Sequence, residues 1–161
     1  MDMNHVVCAA DRRLDALVAG EPELKPSGRY SSFFQIGDCW VSSGVVGRRG
    51  GAIIAGPLRS EEDVPIGERA AAAAVLLLLR AAQKALGTLD RVDRVVTLQG
   101  FISSTADFRD HVRVMDAASA CLQDVLPQSP LPARTAVGVA SLPGGGAVEV
   151  IMVLATRDIP D

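Results

Sequence analysis

The chain has 161 residues, 48% of them hydrophobic, and a formal net charge of −3, which fits one domain with a full core. The acidic balance offers no basic field to attract nucleic acid by bulk electrostatics. The longest apolar run, 70–79, is too short to span a bilayer, and the opening Met-Asp-Met-Asn-His lacks the basic stretch and apolar core of a secretory signal. Cytoplasmic residence without a membrane partner is therefore expected. Cys8, Cys39 and Cys121 are odd in number and widely spaced, and with only two histidines they make no metal-ligand cluster by local spacing; they read as small buried hydrophobes.

In chain order, Leu14, Leu17 and Val18 recur at helical spacing within 8–19 and Gly20 supplies a stop, which predicts an N-terminal helix. The Pro-containing stretch 21–26 then makes an extended linker. No chemistry is apparent in this segment, which divides the chain into an extension at 1–26 and a domain at 27–161. Phe33, Phe34 and Ile36, the pair Gly37-Asp38, and the run from Cys39 to Val46 predict two strands about a tight hairpin turn. Tyr30, the sole tyrosine, reads from composition alone as a half-buried residue with its hydroxyl at the surface. Gly47-Arg48-Arg49-Gly50-Gly51 is a turn rather than a phosphate cradle, because it leads into a short strand and not a helix.

A helix is expected over 67–86, with Ser60-Glu61-Glu62-Asp63 before it as a cap and Gly87 ending it. Five alanines at 70–74 and four leucines at 76–79 favour the helix. They also make it apolar nearly all round, so it must meet a sheet on one side and another layer or subunit on the rest. Next come a strand at 94–102 and a helix over 107–125, with Phe108, Val112, Met115, Ala118 and Leu122 on one stripe. Hydroxyls at 103–105 are its candidate caps. His111 lies on this helix with no cysteine or serine spaced to form a recognisable triad, so a structural role is favoured.

The stretch 132–155 reads as strand, Leu-Pro-Gly-Gly-Gly turn, strand, a terminal hairpin. Period-two alternation puts Arg134 on the face of Ala136 and Gly138, at the mouth of that hairpin. Glu149 stands in an otherwise apolar run, where an unpaired carboxylate costs several kcal/mol or shifts its pKa. Taken alone, the two charges fit a structural pair or solvated strand ends.

Several of these residues form a pattern. Pro132, Ala133, Arg134, Leu142, Pro143, Val148 and Glu149, which span the phrase ARTAVGVASLP and the start of the last strand, resemble the C-terminal signature of the Rid (reactive intermediate deaminase) family, also called YjgF-like or endoribonuclease L-PSP. Gly28, Tyr30 and Ser31, then Val41, Ser43 and Gly44, match its earlier landmarks, and the order helix, Gly87, Leu89-Asp90, Val92, strand matches its middle section. The phrase ARTAVGVASLP is similar to the branch with a longer N-terminal extension. The resemblance implies a chorismate-mutase-like α+β fold, a β-sheet with two helices packed on one face, assembled as a homotrimer with clefts between subunits. It implies hydrolysis of enamines and imines such as 2-aminoacrylate to a keto acid and ammonia, with no cofactor or metal. Arg134 would clamp the substrate carboxylate and Glu149 would position and deprotonate water, with Tyr30, Ser43, Gly44 and Thr135 completing the substrate contacts. The chain departs from the family pattern in Arg29 for the usual proline, the extra residue Ser42, Ala136 for a common cysteine, Leu78 for an asparagine, and Val112 or Asp116 near the place of another asparagine. A non-catalytic trimer binding a small carboxylate, or an enzyme of one dedicated pathway, are the alternatives. Ribonuclease activity is disfavoured by the charge and by the absence of a basic, aromatic-lined strand face, with Arg48 and Arg49 offering a local basic patch.

Overall fold

The computed structural model describes residues 8–23, 25 and 28–157. Helix α1 (Ala9–Leu17) comes first, capped by Cys8, whose sulfur accepts from the Asp11 amide at 3.3 Å. Strands β1 (Phe33–Ile36) and β2 (Cys39–Ser42) form the expected hairpin, and β3 (Val45–Val46) continues the line of β2. A small separate hairpin, β4 (Arg48–Arg49) with β5 (Ala52–Ile53), turns through Gly50-Gly51. Helix α2 (Val64–Leu86) begins three residues earlier than expected, behind a short 3₁₀ turn at Glu61–Asp63, and ends at Gly87 in the left-handed conformation. Then come β6 (Val92–Ser103), α3 (His111–Val125), β7 (Ala133–Val139) and β8 (Val148–Thr156).

The main sheet runs β1-β2-β8-β6-β7, with β3 also paired to β8. This corrects the predicted terminal hairpin, because β7 and β8 do not pair: β6 lies between them, parallel to β7 and antiparallel to β8. The physical reason is the crossover. A strand followed by a helix and a second strand brings the two strands parallel and adjacent, and β6-α3-β7 does this. That leaves the other edge of β6 for β8.

Helices α2 and α3 pack on one face of the mixed sheet, and α1 lies across both of them. This is the expected α+β layering. The inward residues of β8, Val148, Val150, Met152 and Leu154, are fully buried under the helices with Leu98 and Ile102 of β6. The apolar girth of α2 is satisfied within the chain: the sheet takes one side, α3 another, and α1 a third through Ala10, Leu14 and Val18. Leu78, which stands at a family asparagine position, is 0% exposed and belongs to that core.

Helix α3 departs from its prediction in both start and stripe. It begins at His111, and Asp110 caps it without a side-chain bond, so the hydroxyls at 103–105 do not cap it. Phe108 is buried ahead of the helix, held by a turn in which its amide donates to the Thr105 carbonyl. The spacing from Phe108 to Val112 is therefore not a helical one. Val112 is 63% exposed, and the buried stripe is Val114, Met115, Ala118, Cys121, Leu122 and Val125.

The extension is stapled by a buried acid. The Asp11 carboxylate accepts from the Thr88 hydroxyl at 2.6 Å, the Leu89 amide at 2.9 Å, the Cys8 thiol at 3.0 Å and the Gln83 amide at 3.2 Å. Burial pushes its pKa up, but these donors outweigh that and hold it below the usual value; a carboxylate accepting several hydrogen bonds favours its charged form. Of the cysteines, Cys121 is buried, and burial with Asp124 nearby pushes its thiol up to about 12. Cys8 and Cys39 are only half-buried, which corrects their reading as core residues. Among the described residues no helix is long and apolar enough to cross a membrane.

Candidate active site

Glu149 sits on β8 beside an irregularity that the sequence announced. Val41 pairs with Val153, but the next pairing is Val45 with Val150, so residues 42–44 oppose only 151–152. One surplus residue on an antiparallel strand makes a bulge. Ser42, the extra residue of the landmark, is buried there, and its hydroxyl accepts from the Met152 amide at 2.9 Å. That bond replaces a lost rung of the ladder. Ser43 then turns to the incoming segment, its hydroxyl donating to the Ser31 carbonyl at 2.6 Å and its amide to the Ser32 carbonyl at 2.9 Å.

The bulge carries Gly44 directly over the Glu149 carboxylate. A Cβ at position 44 would lie 2.1 Å from Glu149 Oε1, so any larger residue would push the carboxylate from this position. Glu149 lines a cavity of about 70 Å³ with Tyr30, Ser32, Ser43, Gly44, Val45, Arg48, Lys25 and Pro143. Burial pushes its carboxyl above the usual carboxylate range. Tyr30, 48% exposed, forms part of the wall. Four of the residues singled out in the sequence, Tyr30, Ser43, Gly44 and Glu149, thus come together. Arg48 and Lys25 join them, without a signal in the sequence; three glycines and a second arginine around Arg48 look like any solvated turn.

Arg134 lies elsewhere. It is in register with Leu98, which is in register with Met152, so it points to the helix-bearing face, as its alternation with Ala136 and Gly138 required. Glu149 is in register with Phe101 and hence with Val137, on the opposite face. A strand separates the two residues and the sheet lies between their side chains. Thr135, exposed, shares the Glu149 face but stands on the edge strand. The Arg134 guanidinium rests on α3: Nη1 donates to Ser119 Oγ at 2.8 Å, and Nη2 to Asp116 Oδ1 at 2.8 Å and to the Val112 carbonyl at 3.4 Å.

His111 does meet a serine, which spacing along the chain did not reveal. Ser104 Oγ and His111 Nε2 are 3.3 Å apart, and the Phe108 ring packs edge-on against the imidazole with centroids 5.1 Å apart. No acid bonds to the ring among the described residues, so the pair lacks the orienting member of a triad. A larger groove of about 1020 Å³ runs between α1, the end of α2 and residues 30–33. Its cations hold the linker: Arg80 donates to the Glu21 carbonyl at 2.7 Å, and Lys84 pairs with Glu23. Among the described residues no cluster of three His, Cys, Asp or Glu side chains could hold a metal ion.

Known proteins share this arrangement of strands and helices. The family model for endoribonuclease L-PSP matches residues 20–156. The chain is 42% identical over 101 residues to protein TCP17 of Trypanosoma cruzi, a match that covers 62% of this chain and 63% of the relative. The crystal structure of Atu1372 from Agrobacterium tumefaciens, a protein of unknown function, superposes with a TM-score of 0.81 at 30% identity, covering 93% of this chain and 94% of that one. The YjgF gene product of E. coli shares the fold, with a TM-score of 0.61 at 21% identity over 86% of this chain and 94% of its own. The bulge over a desolvated Glu149, the arginine on the edge strand and the matched model lead to one conclusion: this chain belongs to the endoribonuclease L-PSP, or YjgF-like, family.

Proposed function

We propose that the protein hydrolyses small enamines and imines that carry a carboxylate, giving a keto acid and ammonia, in clefts formed where copies of the chain meet in a homotrimer. The observation that carries this reading is the separation of Glu149 from Arg134. Glu149 is desolvated with no cation bonded to it among the described residues, while Arg134 lies across the sheet on an exposed edge. A second copy whose β7 edge approaches the first copy's Glu149 face would bring Arg134 to a carboxylate that shares its cavity with Arg48 and Lys25 but is bonded to neither among the described residues. The helix-free face supports such a contact, because Phe34, Ile36 and Val137 are 67%, 61% and 40% exposed there, and Phe101, Ile151 and Val153 stand between them by register. A contiguous apolar face of this kind marks an interaction surface.

The chemistry needs few parts. An imine carbon is already electrophilic, so the site must hold the substrate and supply water. Arg134 takes the substrate carboxylate in two N–H bonds. Glu149, raised by burial toward neutrality, accepts the proton of water as its oxygen bonds to the imine carbon. The same carboxyl then returns the proton to nitrogen and, as the C–N bond breaks and ammonia leaves, takes the proton of the new hydroxyl, so that the carbonyl forms; an enamine first becomes the imine by taking a proton from solvent at its terminal carbon and losing one from nitrogen. Tyr30 closes the apolar wall, and the backbone at Ser43 and Gly44 orients the ligand.

Cleavage of RNA is the weaker reading. Arg49, half of the local basic pair, is already bonded to Glu21 at 3.1 Å, and the chain is net acidic. The test is release of ammonia and keto acid from freshly generated 2-aminoacrylate. Wild type should accelerate it, and Arg134→Ala and Glu149→Ala should not; full activity in either variant would refute the assignment.

A further inference from the structure

The guanidinium that the reaction needs for a carboxylate already holds one. Arg134 is gripped by three groups of α3, at positions 112, 116 and 119, spaced four and three apart along one stripe. Asp116 is the charged member, and its side chain is 65% exposed while that of Arg134 is 20% exposed. The acid therefore stands outward, where a ligand would approach. Its second oxygen, Oδ2, carries no hydrogen bond among the described residues. Among the described residues Arg134 is the one cation bonded to it: Arg113 is bonded to Glu61 at 3.0 Å, and Arg109 donates to the carbonyls of Ala106 and Phe108.

A free carboxylate ligand that shares Arg134 with Asp116 meets a like charge at close range, which disfavours it. A ligand with a protonated nitrogen one carbon away from its carboxylate does not. Its carboxylate takes the two N–H groups of Arg134 that α3 leaves open and its N–H donates to Asp116, so the ion pair on the protein is matched by an inverted pair on the ligand. We propose that Asp116 determines specificity, making the Arg134 site select 2-amino and 2-iminio carboxylates over 2-keto acids. This rests on the reading of Arg134 as the carboxylate clamp. It gives that reaction a direction: hydrolysis removes the nitrogen that Asp116 holds, and the keto acid is left facing an unsatisfied carboxylate and departs.

Titration calorimetry with L-alanine and pyruvate, which differ only in the group at C2, tests this on the full-length protein. Wild type should bind L-alanine more tightly. Asp116→Asn should weaken L-alanine by about tenfold, the worth of one charge-assisted hydrogen bond, and tighten pyruvate; a merely structural role for Asp116 would weaken both. Arg134→Ala should lose both ligands. If Asp116→Asn moves the two affinities together or not at all while Arg134→Ala loses both, the clamp stands and the selectivity proposal falls. If Arg134→Ala keeps both, the clamp itself is wrong and the proposal goes with it. A wild-type protein that binds neither ligand would also overturn it.

Discussion

The two charged centres differ in how the fold treats them. Glu149 is half-buried under a bulge with no cation bonded to it among the described residues, and its pKa is pushed up by burial. Arg134 is held by a hydroxyl, a carbonyl and a carboxylate of one helix. A half-buried carboxylate with no cation bonded to it is costly, and a fold that tolerates one keeps it ready to take a proton. An arginine tied down on three sides loses little further freedom when it binds an anion. On the proposed reading, one centre supplies reactivity and the other placement.

This contrast fixes how each should fail. Glu149→Ala should lower kcat by about a hundredfold or more, the scale of lost general-base catalysis, while Arg134→Ala should raise KM beyond the substrate concentrations that saturate wild type, so that no rate is seen there. Equal effects on both constants in both variants would erase the distinction. Gly44→Ala comes next. Its new methyl group displaces the carboxylate without removing it, so kcat should fall roughly tenfold or more while circular dichroism and the oligomer stay unchanged; an unaffected kcat would mean that the close approach at Gly44 has no bearing on the reaction.

The smallest effect concerns pH and stability. Glu149 must be ionised to act as base, so the acid limb of kcat/KM should lie above the ordinary carboxylate range. The same raised pKa means that the folded state favours the protonated form. No penalty exists below the unfolded value, and it grows as pH rises through the folded one. Glu149→Gln should therefore raise the melting temperature modestly at neutral pH and leave it unchanged in acid. A gain of equal size in acid would point to packing instead.

Much of this was legible in the residues, and the parts that were not have identifiable causes. Alternation put Arg134 with Ala136 and Gly138 correctly, and the surplus Ser42 became the bulge. Alternation does not say which strand lies next to which, however. The runs at 133–139 and 148–156 would read the same in a hairpin as they do on either side of β6, and only the intervening α3 decides. The opposite faces of Arg134 and Glu149 come from register, which no local pattern carries. Val112 was drawn into the buried stripe because Phe108 is buried for a reason outside the helix. Asp11 carries no local signal at all, since an acid on a short amphipathic helix looks solvated until Thr88 and Leu89 arrive from 77 and 78 residues away.

The central claim is that one cleft takes Glu149 from one copy and Arg134 from another. The direct measurement is the deaminase rate of Arg134→Ala and Glu149→Ala proteins, each inactive alone, after unfolding and refolding together in equal amounts. In a cyclic trimer with random assembly, about a quarter of the clefts would then hold both native residues, and about a quarter of the wild-type rate should return. A mixture as inactive as its parents, from trimers shown to contain both chains, would contradict the shared cleft.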